Sequence, residues 1–162
     1  MIPPLWNGMS TDAGAGDRGS PARDEEFSAG GVVVDGDRVV VIVPVKRSAN
    51  GRRVLGLPKG HPDGEETAEE AARREVAEEA GVRGELVAHL GDVTYRYERR
   101  GRKVAKRVRF FLYRYTSGDL ADHDHEIEQA RWLPLAEAVE QLTYDGERDM
   151  VRRAMSYLTP DR

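Results

Sequence analysis

One helix constrains this chain more than any other segment. Thr67 is a favourable N-cap residue, and Glu70 three positions later completes a capping box. Gly81 supplies the left-handed position at which helices stop. Between these signals Glu75, Glu78 and Glu79 stand at i, i+3 and i+4, within about 100° of arc. Like charges at that spacing oppose a helix by about 0.2–0.5 kcal/mol per pair. On the other flank, Glu69 with Arg73 and Glu70 with Arg74 read as supporting i,i+4 pairs. Ala68, Ala71, Ala72 and Val76 are the stripe that packs inward, so the fold must seat three uncompensated carboxylates at its rim. Such a cluster wants cations. Hard oxygen donors, with neither His nor Cys in the set, favour Mg²⁺ or Mn²⁺ over zinc.

Composition narrows the alternatives. The chain has no Cys, which excludes disulfide scaffolds, Cys-ligated zinc, iron–sulfur clusters and thiol nucleophiles. Its 162 residues suffice for one domain with a real core. No apolar run approaches the roughly 20 residues needed to span a bilayer, and Met1–Trp6 lacks a signal-peptide pattern, so a cytoplasmic location is expected. The formal net charge of −4 hides a segregation. Residues 65–79 hold seven Glu against two Arg; residues 96–114 hold nine Lys/Arg against one Glu; residues 119–128 hold five acids and no base. Alternating acidic and basic clusters suit metal cations bridged to a polyanion.

Residues 1–26 are rich in Gly, Pro, Ser and Asp and predict a flexible tail, with the domain running over 27–162. Ser28–Val34 and Arg38–Val45 flank Asp35-Gly36-Asp37, a hairpin signal. Arg53–Leu57 reads as a short strand, followed by a polar loop to Glu66. Beyond the helix, Glu85–Leu90, Asp92–Glu98, Val104–Tyr115 and Gln129–Leu133 read as strands. Leu135–Leu142 and Gly146–Leu158 read as helices, the second with Met150, Val151, Ala154, Met155 and Leu158 on one stripe. The class is α+β, with a mixed sheet.

The helix belongs to a longer pattern. Gly60, five residues, Glu66, seven residues, Arg74-Glu75-Val76, one residue, Glu78-Glu79, one residue, Gly81-Val82: this resembles a complete Nudix box. The order of elements from Phe27 to Leu158 is also similar to that of a Nudix domain. The resemblance implies an α/β/α sandwich around a mixed sheet, and metal-dependent hydrolysis of nucleoside diphosphate derivatives. It implies Glu75, Glu78 and Glu79 as catalytic metal ligands, joined by the Gly60 carbonyl, with Glu66 and Arg74 structural. A further acid from beyond the box often completes such a site; Glu126 is favoured here over Glu128. Glu78 and Glu79 both stand as proton acceptors, and a carboxylate bound to metal is a poor base.

Leu57-Pro58-Lys59-Gly60-His61, Asp92–Tyr97, Phe110–Tyr115 and Trp132–Ala138 resemble the diadenosine tetraphosphate (Ap4A) hydrolase branch. That branch implies asymmetric cleavage of Ap4A to ATP and AMP. Lys59 and Lys106 are the expected phosphate contacts, and Tyr95, Tyr97 and Tyr144 the candidates for stacking adenine. Two alternatives remain: a MutT-like pyrophosphatase acting on (d)NTPs or oxidised nucleotides, and an RNA- or cap-binding module gripping phosphates with the basic hairpin. The intact glutamate set argues for the enzyme and against nucleic acid as the partner.

Overall fold

A computed structural model describes residues 10–12, 25–48 and 50–158. Seven strands form one sheet: β1 (Ser10–Asp12), β2 (Glu25–Asp35), β3 (Arg38–Pro44), β4 (Lys59–Gly60), β5 (Val82–Arg99), β6 (Arg102–Gly118) and β7 (Ile127–Pro134). The order is β1-β5-β6-β2-β3-β7, with β4 paired to β2. The β2–β6 pair is parallel and the others are antiparallel, so the sheet is mixed as expected.

Strand β2 explains the layering. Val32 and Val34 join Val39, Val41, Tyr95, Phe110 and Met150 in one core; Ala29 and Val33 join Val40, Ile42, Ala71 and Val76 in another. Alternate side chains thus enter opposite cores, which is why the central strands read as unbroken Val runs rather than as alternating ones. Helix α1 (Ala68–Ala80) covers the second core; α2 (Leu135–Gln141) and α3 (Asp145–Leu158) cover the first. The result is a helix–sheet–helix sandwich with the carboxylate-bearing helix on the face opposite α2 and α3.

Helix α1 is bounded as its sequence dictates. The Thr67 hydroxyl accepts from the Glu70 amide, the Glu70 carboxylate accepts from the Thr67 amide, and Gly81 stops the helix at φ 75°. The Glu69–Arg73 pair forms at 2.7 Å. Glu70, committed to the cap, leaves Arg74 to other partners, so the expected Glu70–Arg74 pair is replaced.

Three elements differ from expectation. Arg53–Leu57 is not a strand: only Gly56 bridges to Ile42, while the Leu55 amide donates to Thr143 Oγ1 (2.8 Å) and the Leu57 amide to Glu147 Oε1 (3.0 Å). Side chains of the C-terminal helical region thus take the hydrogen bonds that a neighbouring strand would have supplied. Glu85–Leu90 and Asp92–Glu98 are parts of the single strand β5, with register shifts before Gly84, between Leu86 and Ala88, and between His89 and Gly91. Of residues 1–26, Ser10–Asp12 pairs with β5 and Glu25–Glu26 open β2; the rest of the expected tail lies outside the described residues. No helix among the described residues is long and apolar enough to cross a membrane.

Candidate active site

Local sequence places the carboxylates and topology brings cations to them. Strand β4 pairs with β2 at Ala29 and Gly30, which lays the Lys59–Gly60 backbone against α1. The approach is close enough that a Cβ at Gly60 would fall on the Glu75 carboxylate. From β4 the Lys59 amide donates to Glu79 Oε1 (3.0 Å). From the far side of β2, β6 runs parallel with Lys106 beside Glu26.

On one flank of α1, Arg74 organises the glutamates. Its Nε and Nη2 grip Glu66 through both carboxylate oxygens (2.8 and 3.0 Å), and Nη2 also reaches the His61 carbonyl (2.9 Å). Its Nη1 donates to Glu75 Oε2 and Glu78 Oε1, both at 3.1 Å. Glu75 and Glu78 are therefore not uncompensated: the guanidinium bridges them. Hydrogen bonding to Arg74 holds the Glu66 carboxyl below its usual range, and Glu66 in turn drives the guanidinium pKa up, against the opposing effect of burial.

On the other flank a cavity of about 570 Å³ opens, a volume suited to a small-molecule ligand. Lys59, Lys106, Glu79 and Glu126 line it together with an apolar wall that includes Ile42 and Val45. Burial pushes the Glu79 carboxyl up to about 7; Glu75 and Asp124 add negative charge, against the lowering effect of the Lys59 ammonium and amide. Burial also raises Glu75, opposed by Arg74 and reinforced by Glu78. Lys106 is lowered to about 8, first by burial and then by Lys59; Glu26, Glu147 and Glu79 oppose the shift. The cavity thus collects carboxylate and ammonium charge that burial penalises.

Among the described residues, no three His, Asp or Glu side chains converge into a ready metal cage, because Arg74 holds Glu75 and Glu78 while Lys59 holds Glu79. The donor chemistry nevertheless fits a hard divalent cation: carboxylate oxygens, no thiolate, and a Glu79 whose anionic form is disfavoured first by burial and then by its anionic neighbours. Of the two further acids, Glu126 lines the cavity, whereas Glu128 is paired with Arg47 and Arg53.

The tyrosines lie elsewhere. Tyr95 is fully buried with its hydroxyl on Glu147 (3.1 Å), and Tyr144 is buried with its ring 6.1 Å from that of Tyr95. Both rings belong to the core and offer no face to a base. Tyr97 is buried too, its hydroxyl donating to Glu26 (3.0 Å) and accepting from Arg99 (2.8 Å). Much of the basic hairpin is engaged internally: Arg109 with Asp92, Arg107 with Glu25, Arg99 with Glu26 and Arg114 with Glu85. Lys106 is the hairpin base that lines the cavity.

Two residues escaped the sequence. Glu147 of α3 is fully buried and touches Leu57, Lys59 and Tyr95. It had a signal: Glu147 precedes Met150, Val151 and Ala154 by three, four and seven residues, a carboxylate on the apolar stripe. Glu26 had none, because its side-chain partners Tyr97 and Arg99 come from the far end of β5.

The fold is thus a mixed sheet between helical layers, with a glutamate-bearing helix clasped to the Gly60 segment beside a cavity lined by Lys59 and Lys106. Residues 25–154 match the NUDIX domain family, and the chain belongs to that family. It is similar to the mutator protein MutT4 of Mycobacterium tuberculosis, 41% identical over 134 residues, covering 80% of this chain and 54% of the relative. It is 39% identical over 97 residues to an 8-oxo-(d)GTP phosphatase of Mycolicibacterium smegmatis, covering 60% of this chain and 29% of the relative. An asymmetrical bis(5'-nucleosyl)-tetraphosphatase of Caenorhabditis elegans is 30% identical over 103 residues, covering 62% of this chain and 73% of the relative. The chain thus spans about half or less of the two mycobacterial relatives. The solved structure of a NUDIX hydrolase from Nitrosomonas europaea superposes with a TM-score of 0.67 at 18% identity, covering 82% of this chain and 90% of the other, which shows the shared fold.

Proposed function

We propose that this chain hydrolyses a phosphoanhydride bond in a nucleoside polyphosphate, with Mg²⁺ as the cation and Mn²⁺ as a substitute. The observation that carries the reading is the meeting of Glu79, Lys59 and Lys106 in one cavity at the end of a glutamate-bearing helix. Glu75, Glu78 and Glu79 would hold the metal, with the Gly60 carbonyl and Glu126 as further oxygen donors. A bound divalent cation lowers the pKa of an attacking water and neutralises phosphate charge.

The chain's own groups do the rest. Lys59 and Lys106 meet the phosphate oxygens, and the apolar wall at Ile42 and Val45 excludes water from one side. The Lys59 amide fixes the Glu79 carboxylate, so that a water between Glu79 and the phosphate chain is held in one orientation. Water oxygen bonds to phosphorus, the bridging P–O bond breaks, and the proton passes to whichever of Glu78 and Glu79 is not then ligating metal.

A (d)NTP or oxidised nucleotide is the preferred substrate. The candidate adenine-stacking rings of Tyr95 and Tyr144 are in the core, which leaves the Ap4A reading on its motifs; the relatives at 41% and 39% identity carry mutator and 8-oxo-(d)GTP phosphatase names. Ap4A stands as the second reading, supported by the paired lysines and by the tetraphosphatase relative. The experiment is incubation with Mg²⁺ and dGTP, 8-oxo-dGTP or Ap4A, with products separated by ion-exchange chromatography. Nucleoside monophosphate plus pyrophosphate supports the first reading, ATP plus AMP from Ap4A reverses the order, and no turnover of any nucleotide overturns both.

A further inference from the structure

The Nudix pattern ends at Val82, yet the most deeply buried carboxylate beside the cavity comes from α3. Glu147 has no exposed surface, and both of its oxygens are occupied. Oε1 accepts from the Leu57 amide (3.0 Å); Oε2 accepts from Lys59 Nζ (2.9 Å) and from the Tyr95 hydroxyl (3.1 Å). Burying a carboxylate so completely is costly unless it is paired and hydrogen-bonded, and removing one partner of such a pair is strongly destabilising. Room for it is made at Gly56, where a Cβ would sit 3.2 Å from Oε1.

What Glu147 holds is the segment that delivers Lys59. The Lys59 ammonium carries three N–H donors. One goes to Glu147 Oε2 and one to the Leu57 carbonyl (2.9 Å), which leaves the third for a cavity ligand. The backbone of the same lysine donates to Glu79. Lys59 thus joins a catalytic-helix carboxylate, through its amide, to an α3 carboxylate, through its side chain.

We propose that Glu147 is the positioning residue for Lys59: its buried carboxylate aims the ammonium into the cavity and pins the Leu57–Lys59 backbone that orients Glu79. This rests on Lys59 being a phosphate contact, as in the proposed function. Glu147→Gln keeps the volume and an acceptor for the Leu57 amide, but sets amide N–H donors against the ammonium. The charge simply removed would strengthen anion binding; the loss of aim weakens it, so the sign of the change separates the two effects.

The test is a double-mutant cycle of Glu147→Gln and Lys59→Met in the full chain, read in two ways. The first is calorimetric binding of inorganic tripolyphosphate without metal. Glu147→Gln is expected to weaken it about tenfold, Lys59→Met by about as much, and the double variant by no more than Lys59→Met alone. The second readout is nucleotide hydrolysis with Mg²⁺, in which Glu147→Gln raises KM about tenfold and lowers kcat by less. Tyr95→Phe removes a different Glu147 partner and controls for packing: a Tm loss with binding within twofold of wild type is expected. Additive losses in the cycle, tighter tripolyphosphate binding by Glu147→Gln, or no binding by the wild type would each overturn the positioning role. Glu147-dependent tripolyphosphate binding without nucleotide turnover would refute the proposed function alone, and turnover indifferent to Glu147→Gln would refute the inference alone.

Discussion

Helix α1 carries glutamates to two environments a single turn apart. On the Arg74 flank, Glu75 and Glu78 share one guanidinium with Glu66 of the preceding loop and with a loop carbonyl, so their hydrogen bonding is met within the protein, although burial still raises Glu75. On the cavity flank Lys59 meets Glu79 and Lys106, and burial penalises the charged forms of those two: Glu79 rises to about 7 and Lys106 falls to about 8. The first arrangement holds a loop; the second leaves electrostatic cost that a cation and a polyphosphate would relieve. Which flank a glutamate of this helix faces decides whether an arginine or a lysine is its partner.

Substitutions on the two flanks should therefore fail in different ways. Glu79→Gln is expected to lower turnover about a thousandfold while Tm holds or rises, since it removes a charge that burial penalises; near-normal turnover would dissolve the distinction. Arg74→Met is expected to cost about 2 kcal/mol of stability, seen as a drop in Tm of about 5 °C, because Glu66, Glu75 and Glu78 lose their shared cation. An unchanged Tm would show that the clasp is not structural. Lys106→Met is expected to stabilise the fold by about 1 kcal/mol near pH 7 while weakening nucleotide binding, as seen by denaturant melts and KM. Its folded pKa of about 8 lies below the 10.5 of a free lysine, so protonation is what folding penalises. That penalty fades as pH rises from about 8 toward 10.5, and the variant's advantage should shrink over the same window. Glu128→Gln, outside both environments, is expected to change stability by less than about 0.5 kcal/mol and leave turnover unchanged; an activity loss would return Glu128 to the site.

What could be read from the chain follows the range of the interactions. The α1 cap, its stop at Gly81 and the paired Val strands rest on residues a few positions apart, and the structure has them where the sequence predicts. The Arg53–Leu57 segment and Tyr95 depart from the local pattern because Glu147, about ninety and fifty residues away, takes the hydrogen bonds of the Leu57 amide and the Tyr95 hydroxyl. Along the sequence the hairpin shows only its bases, because its acids, Glu25 and Glu26 on β2 and Asp92 within β5, become its neighbours only when the sheet forms. Charge along the chain identified the ingredients, but pairing across the sheet decides which remain available to a ligand.

The parallel pairing of β2 with β6 has a consequence for how the molecule is made. Its partners lie eighty residues apart, from Glu25 with Ala105 to Val34 with Arg114. A chain emerging from the ribosome completes the β2–β3 hairpin, apolar on both sides, long before the strand that must flank it exists. Contacts of such separation are slow to close, and unpaired strand edges in the interval invite association with other chains. Lys106 reaches the cavity through that ladder, so the cavity wall is incomplete until β2 and β6 have paired.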